Sequence, residues 1–219
     1  MIFKNIYGDI NLSEKYYDNK TIGLSMSGGA DSTMLCILFC ELVTKHDINL
    51  TIQPYNGFDI HVPFDSSVLF TNIDIIRNMY KEVKLLHPIS TIFDSQGKDN
   101  KMDFINDLIC KLKGKVFDHR VTAITLGPPY NVQKKFPCNH IRRINDHHAY
   151  NELDYDTWPI ENCPLKNVDK RFIIKLYEQF NLIDLFKSTI SCISPINGLH
   201  PCNECWWCYE REWAINEAL

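Results

Sequence analysis

Apolar runs that alternate with amphipathic segments, a glycine-rich turn joining the first of each, and a crowd of cysteines near the end predict an α/β protein. The expected architecture is an open parallel sheet with helices on both faces, followed by a small metal-binding module. Thr21 to Met26 is a short apolar run that ends at the glycine-rich turn and reads as the first strand. Asp31 to Lys45 reads as a helix, because Met34, Leu35, Leu38 and Leu42 recur at three-and-four spacing. Leu50 to Tyr55 is the expected second strand, Ser67 to Lys81 a helix, and Val83 to His87 a third strand stopped by Pro88. Asp103 to Leu112 reads as a further helix and Val121 to Leu126 as a fourth strand, halted at Gly127-Pro128-Pro129. From there to about Pro159 the pattern fails, and a connection of that length is expected to be functional. A helix from Asp169 to Asn181, with Asp169 as its N-cap, restores regularity. Residues 1–185 are expected to form the main domain and 186–219 the metal-binding module packed on it.

Composition narrows the function classes. The 219 residues are 45% hydrophobic, enough for one sizeable core. A net charge of -4 offers no global positive field for a phosphate backbone, so nonspecific nucleic-acid binding is not expected. The longest apolar run, Met34 to Cys40, falls far short of the ~20 residues that a membrane-spanning helix needs. Met1 to Asp9 shows no signal-peptide pattern, and the expectation is a cytoplasmic protein. Among the 9 cysteines, Cys36, Cys40, Cys110, Cys138 and Cys163 are scattered.

Ser27-Gly28-Gly29-Ala30-Asp31-Ser32 falls between the first strand and the first helix, where open α/β sheets bind ligands. Gly28 and Gly29 let the backbone turn sharply and approach a ligand, and the helix start offers free N–H groups to an anion. The residues alone also suit a plain turn with Asp31 as N-cap. The turn has neither the Lys of a P-loop nor the three-glycine spacing of a dinucleotide fingerprint. It resembles the S-G-G-x-D-S loop of the ATP pyrophosphatases, which split ATP between its α and β phosphates and adenylate a substrate. Pro164-Leu165-Lys166-Asn167-Val168-Asp169-Lys170 likewise resembles a P-L-x-x-x-x-K segment found late in several of these enzymes. The resemblance implies an adenine nucleotide alpha hydrolase-like sheet that binds ATP and Mg2+. It implies that the Ser27 to Ser32 loop, Ala30 included, cradles pyrophosphate and that Leu24 and Ser25 flank the adenosine. Asp31, which helps orient magnesium, Ser32 and Lys170, which reaches phosphate, are then the catalytic residues.

Cys202, Cys205 and Cys208 recur at every third position with Cys192 shortly upstream. Four thiolates complete the tetrahedral shell of a structural Zn2+, and a closed shell stabilises the fold rather than performing chemistry. An iron–sulfur cluster uses the same ligands. His200 lies nearby, outside a shell that is already complete.

The stretch from Pro164 through Leu185 to Cys192, with the Cys-x-x-Cys-x-x-Cys ending, resembles 7-cyano-7-deazaguanine synthase. In that family the carboxylate of 7-carboxy-7-deazaguanine attacks the α-phosphate of ATP. Ammonia displaces AMP to give an amide, and a second activation dehydrates it to the nitrile. The implied partners are a small-molecule carboxylate and free ammonia, since no room exists for a glutaminase domain; a homodimer is the default assembly. On the substrate side, Tyr55-Asn56-Gly57-Phe58-Asp59-Ile60-His61 keeps the Tyr, Gly and His of a family segment but not its Arg. Phe136-Pro137-Cys138 with Arg142 matches a second segment loosely, and Arg142 or Arg143 could hold a carboxylate. For His61, His147 and His148 a surface role is the simpler reading. Two alternatives stay open at this point: a sulfur-transferring relative with Cys138 or Cys163 as its reactive thiol, and an inactive zinc-stabilised nucleotide-binding module.

Overall fold

The structure, a computed structural model, describes residues 1–61, 67–93, 112, 114–136, 161–192 and 200–219. A parallel sheet with helices on both faces forms its centre. Strand β3 (Lys20–Ser25) lies between β4 (Leu50–Asp59) and β7 (His119–Val121), and β4 carries β5 (Lys84–Leu85) and β6 (Ile89–Phe93) along its far side. Helix α2 (Ala30–His46) returns the chain from β3 to β4, and α3 (Ser67–Met79) leads on to β5. Positions Met34 to Cys40 are fully buried, which explains why this helix is apolar all round rather than striped. Among the described residues no helix is long and apolar enough to cross a membrane.

Two strand boundaries differ from expectation. Pro88 does not stop the third strand: the backbone breaks step at Leu86 to Pro88 and rejoins β4 through Ile89–Phe93. The Gln53 side chain bridges the gap by donating to the His87 carbonyl at 2.7 Å. The fourth strand starts earlier than its apolar run and ends at Val121. Its continuation leaves β3 and bonds residues 162–169 instead, with Thr122 N–H donating to the Asn162 carbonyl at 2.9 Å and Leu126 N–H to that of Val168 at 2.9 Å. That detour brings Asp169 and Lys170 beside the sheet. The expected helix at Asp103 to Leu112 lies outside the described residues, Leu112 apart.

The amino-terminal segment forms a hairpin, β1 (Ile2–Asn5) with β2 (Gly8–Asn11), followed by the short helix α1 (Glu14–Tyr17). The short helix α4 (Tyr130–Gln133) follows the sheet. Helices α5 (Lys170–Gln179), α6 (Ile183–Ser188) and α7 (Trp206–Ala218) complete the described elements. The Asp169 side chain caps α5 by accepting from Arg171 N–H at 2.9 Å. Arg171 lies between the Tyr7 and Trp213 rings, at 5.0 and 4.8 Å, so the hairpin and α7 grip the start of α5 from two sides.

Gly23 in the middle of β3 is required by packing. A Cβ there would lie 2.5 Å from the Phe117 ring. That ring is 2% exposed and stacked on Tyr55, with centroids 5.6 Å apart, so it has nowhere to go. Gly23→Ala is expected to cost about 1–3 kcal/mol by overpacking. Urea denaturation would read it as a lower midpoint at unchanged slope, and a wild-type midpoint would show that Phe117 can shift.

Candidate active site and metal centre

The Ser27 to Ser32 turn leaves the carboxyl end of β3, where the chain crosses to β4 on one side while β7 lies on the other. Gly28 has φ +76°, a conformation that side chains with a Cβ rarely adopt. The turn is laced by its own hydroxyls: Ser27 N–H donates to Ser32 Oγ at 3.2 Å, Gly29 N–H to Ser27 Oγ at 3.3 Å, and Ser32 Oγ–H to the Gly29 carbonyl at 3.3 Å. Gly29, rather than Asp31, is the N-cap of α2 and, having no side chain, makes no capping bond. The amides at the helix start meet only hydroxyl oxygens, Gly29 N–H at Ser27 Oγ and Ala30 N–H at Ser191 Oγ. Ser27 is exposed, Asp31 partly so, and Gly28, Gly29, Ala30 and Ser32 are buried. Leu24 is buried in the core and Ser25 is half-buried at the strand end.

Lys170 opens α5 and is 2% exposed. Its Nζ donates to Asp31 Oδ2 at 2.7 Å and lies 3.4 Å from Glu210 Oε2, and Glu210 is itself 2% exposed. One ammonium thus faces two carboxylates. Asp31 Oδ1 is buried and accepts no hydrogen bond. An orphaned buried carboxylate oxygen suits a cation, which is the chemistry a magnesium ligand requires. Glu210 was invisible in the sequence as a site residue, because nothing in its local pattern reports that α7 packs on α5.

The four cysteines converge. Sγ atoms of Cys192, Cys202, Cys205 and Cys208 all lie within 4.8 Å of one another, a set able to hold a metal ion. Asn203, at φ +59°, makes the tight turn between Cys202 and Cys205, and Cys205 is the N-cap of α7. Cys202 N–H points at Cys192 Sγ at 3.4 Å. Burial works against the Cys202 thiolate, but hydrogen bonds from the Glu204 and Cys205 backbone and from neighbouring sulfurs outweigh it and bring this thiol down to about 7.

The metal-ligand segment also touches the turn. Ile190 N–H donates to the Gly28 carbonyl at 3.1 Å, and Ala30 N–H points at Ser191 Oγ at 3.5 Å. Arg211 ties the same strap down, donating to Thr189 Oγ1 at 2.9 Å and to the Phe186 carbonyl at 2.7 Å. Cys192 follows directly, so one end of the metal site is built onto the wall of the candidate anion site.

Of the remaining candidates, His61 is exposed. Cys138, Arg142, Arg143, His147 and His148 lie outside the described residues. Cys163 is fully buried, and burial pushes its thiol up from 9.0 to about 11, so it is held as the unreactive thiol at neutral pH. The native protein should therefore protect Cys163 from iodoacetamide, with labelling appearing only on unfolding; mass mapping checks this, and rapid native labelling would contradict it. Because the folded value is the higher one, the stability that this group contributes is present below about pH 9 and is lost as pH rises through about 11.

No protein-family model and no curated protein matches the chain. Among solved structures, the chain is similar to U34-tRNA thiolase NcsA from Methanococcus maripaludis with its 4Fe-4S cluster, at 14% identity and a TM-score of 0.45. The match covers 91% of this chain, which spans 64% of the length of that one.

Proposed function

We propose that this chain is an ATP pyrophosphatase that adenylates a small-molecule carboxylate, releases pyrophosphate and uses ammonia to form an amide and then a nitrile. The substrate proposed is 7-carboxy-7-deazaguanine and the product 7-cyano-7-deazaguanine. The observation that carries the reading is the Ser-Gly-Gly-Ala-Asp-Ser turn at the carboxyl end of β3, opening a helix whose N-cap is Gly29, with the Asp31–Lys170 pair beside it. Backbone N–H groups of the turn and the Lys170 ammonium are the donors for charge that builds on the leaving pyrophosphate. Magnesium, when bound beside Asp31, neutralises phosphate charge. No nucleophilic side chain is required, since the substrate carboxylate itself attacks.

Zinc is the proposed occupant of the cysteine site. Four thiolates each about 2.3 Å from one tetrahedral ion stand about 3.8 Å apart. The separations of Cys205 from Cys208, of Cys205 from Cys192 and of Cys202 from Cys208 are 3.5, 3.8 and 4.0 Å. A four-iron cluster would interpose its own irons and sulfides and spread the thiolates further. The sulfur-transfer alternative is weakened at Cys163, whose thiol is buried and protonated.

The test is AMP and pyrophosphate formation with ATP, magnesium, ammonium and 7-carboxy-7-deazaguanine, with product masses read from the same sample. Substrate-dependent AMP together with amide or nitrile supports the full reading. AMP without consumption of that substrate removes the deazaguanine assignment and keeps ATP cleavage. Absence of AMP with every acceptor tried, despite ATP binding, would favour an inactive nucleotide-binding module.

A further inference from the structure

We infer that Ser191, on the strap that leads to the metal site, is a phosphoanion-binding residue of the candidate active site, its hydroxyl meeting the pyrophosphate portion of a bound nucleotide beside the Ala30 amide. The inference rests on the nucleotide reading above and deepens it with a residue from outside the turn. Ser191 Oγ lies at the start of α2, where Ala30 N–H points at it at 3.5 Å, and that is its one hydrogen bond among the described residues. Ser27 Oγ meets the Gly29 N–H in the same way at 3.3 Å. A Cβ on Gly29 would lie 3.2 Å from Ser27 Oγ and 3.5 Å from Ser191 Oγ, so the glycine keeps the space between the two hydroxyls clear. Both bonds are long, and an amide gains by exchanging a hydroxyl at that distance for a charged phosphate oxygen, whose bonds are shorter and roughly twice as strong. A hydroxyl also has a proton to give. Released from Ala30, the Ser191 O–H can donate to the same anion that the amide takes up. The strap itself is held by other groups: Ile190 N–H donates to the Gly28 carbonyl at 3.1 Å, Arg211 donates to Thr189 Oγ1 at 2.9 Å, and Cys192 joins the cysteine cluster. These neighbours fix the backbone on both sides of Ser191 and leave its hydroxyl unneeded for holding the strap, which is how a preorganised donor is built.

The experiment measures, by calorimetry on the zinc-loaded full chain, the binding of magnesium pyrophosphate, of magnesium with α,β-methylene-ATP, and of AMP. Wild type and Ser191→Ala are compared, with zinc content and melting temperature read on both. The expected result is that Ser191→Ala binds pyrophosphate and the analogue about tenfold more weakly, the scale of one hydrogen bond to a charged oxygen. AMP affinity, zinc content and melting temperature should stay at the wild-type values, since AMP carries only the phosphate that the leaving pyrophosphate parts from. Wild-type affinity for pyrophosphate and analogue in Ser191→Ala overturns the inference while leaving the nucleotide reading intact. An equal loss for AMP, or a loss that comes with lower zinc content or an earlier melt, also overturns it, because that is the mark of a strap merely loosened. If Ser191→Ala does not fold, amide exchange of the wild type decides: magnesium pyrophosphate should slow exchange across residues 189–192 as well as 28–32, and protection confined to 28–32 refutes the role of Ser191. A wild-type protein that binds neither pyrophosphate nor the analogue removes the nucleotide reading and this inference together.

Discussion

Stripping the metal from the four-cysteine site should loosen the candidate anion-binding turn as well as the carboxyl-terminal helix. Cys205 and Cys208 begin α7, and Glu210 on that helix reaches Lys170 at 3.4 Å. Cys192 ends the strap whose Ile190 and Ser191 touch Gly28 and Ala30. Without an ion, the thiolates repel one another and the strap loses its anchor, so both contacts loosen together. The expected stability loss is several kcal/mol, below the ~10–16 kcal/mol apparent for isolated zinc peptides, because the sheet keeps its own core. Calorimetric melting of Cys205→Ser, and of wild type after chelation, should show the lower transition, and binding of magnesium with α,β-methylene-ATP should weaken in parallel. Linkage then demands the reciprocal: bound nucleotide analogue should slow metal loss to a chelator and raise metal affinity by the same factor. Metal-free protein that melts and binds as wild type does would mean that the sulfurs are only packed thiols.

What the sequence revealed and what it hid divide along one physical line. Patterns that act over a few residues were readable: α2 from its apolar spacing, the Asp169 cap of α5, the cysteine spacing and the Ser27 to Ser32 turn all correspond to elements in the structure. Features decided by distant partners were not. Val121 to Leu126 is apolar enough for one strand, yet its second half bonds residues 162–169, a choice made by the loop that it meets. Pro88 reads as a stop until Gln53, on the neighbouring strand, supplies the bridge across the step. The amino-terminal hairpin has strands of four residues each, too short to announce themselves, and it is held through contacts such as Asn5 Nδ2 donating to the Phe172 carbonyl at 3.1 Å. Within the site, Asp31 and Lys170 were marked by motif, but their pairing was not, since they stand far apart in the chain and meet only because residues 122–126 lead the backbone back to the sheet. Glu210 and Ser191 gave no local signal at all. Ser191 directly precedes Cys192 and Glu210 lies two residues after Cys208, but that position alone names no contact with the turn.

Replacing Lys170 by Met should be the most damaging single change in the candidate active site, and for a reason separate from catalysis. The substitution takes the ammonium away from both Asp31 and Glu210. Asp31, at 21% side-chain exposure, can turn toward water; Glu210, at 2%, cannot. Breaking a buried pair from the side that leaves a charge behind costs about 3–5 kcal/mol. The opposite change behaves differently. Asp31→Asn leaves Lys170 beside Glu210 and removes the carboxylate charge at the turn, so the fold should lose about 1 kcal/mol or less while magnesium-dependent nucleotide binding disappears. Two variants on one contact should thus split stability from binding. A double variant, Lys170→Met with Glu210→Gln, supplies the control: removing the stranded charge should return a good part of the lost stability, a coupling that independent sites would not show. Denaturant midpoints of the four proteins measure it. Should Lys170→Met melt with the wild type, or should Glu210→Gln fail to relieve it, the buried triad would not be what seats α5 against α7.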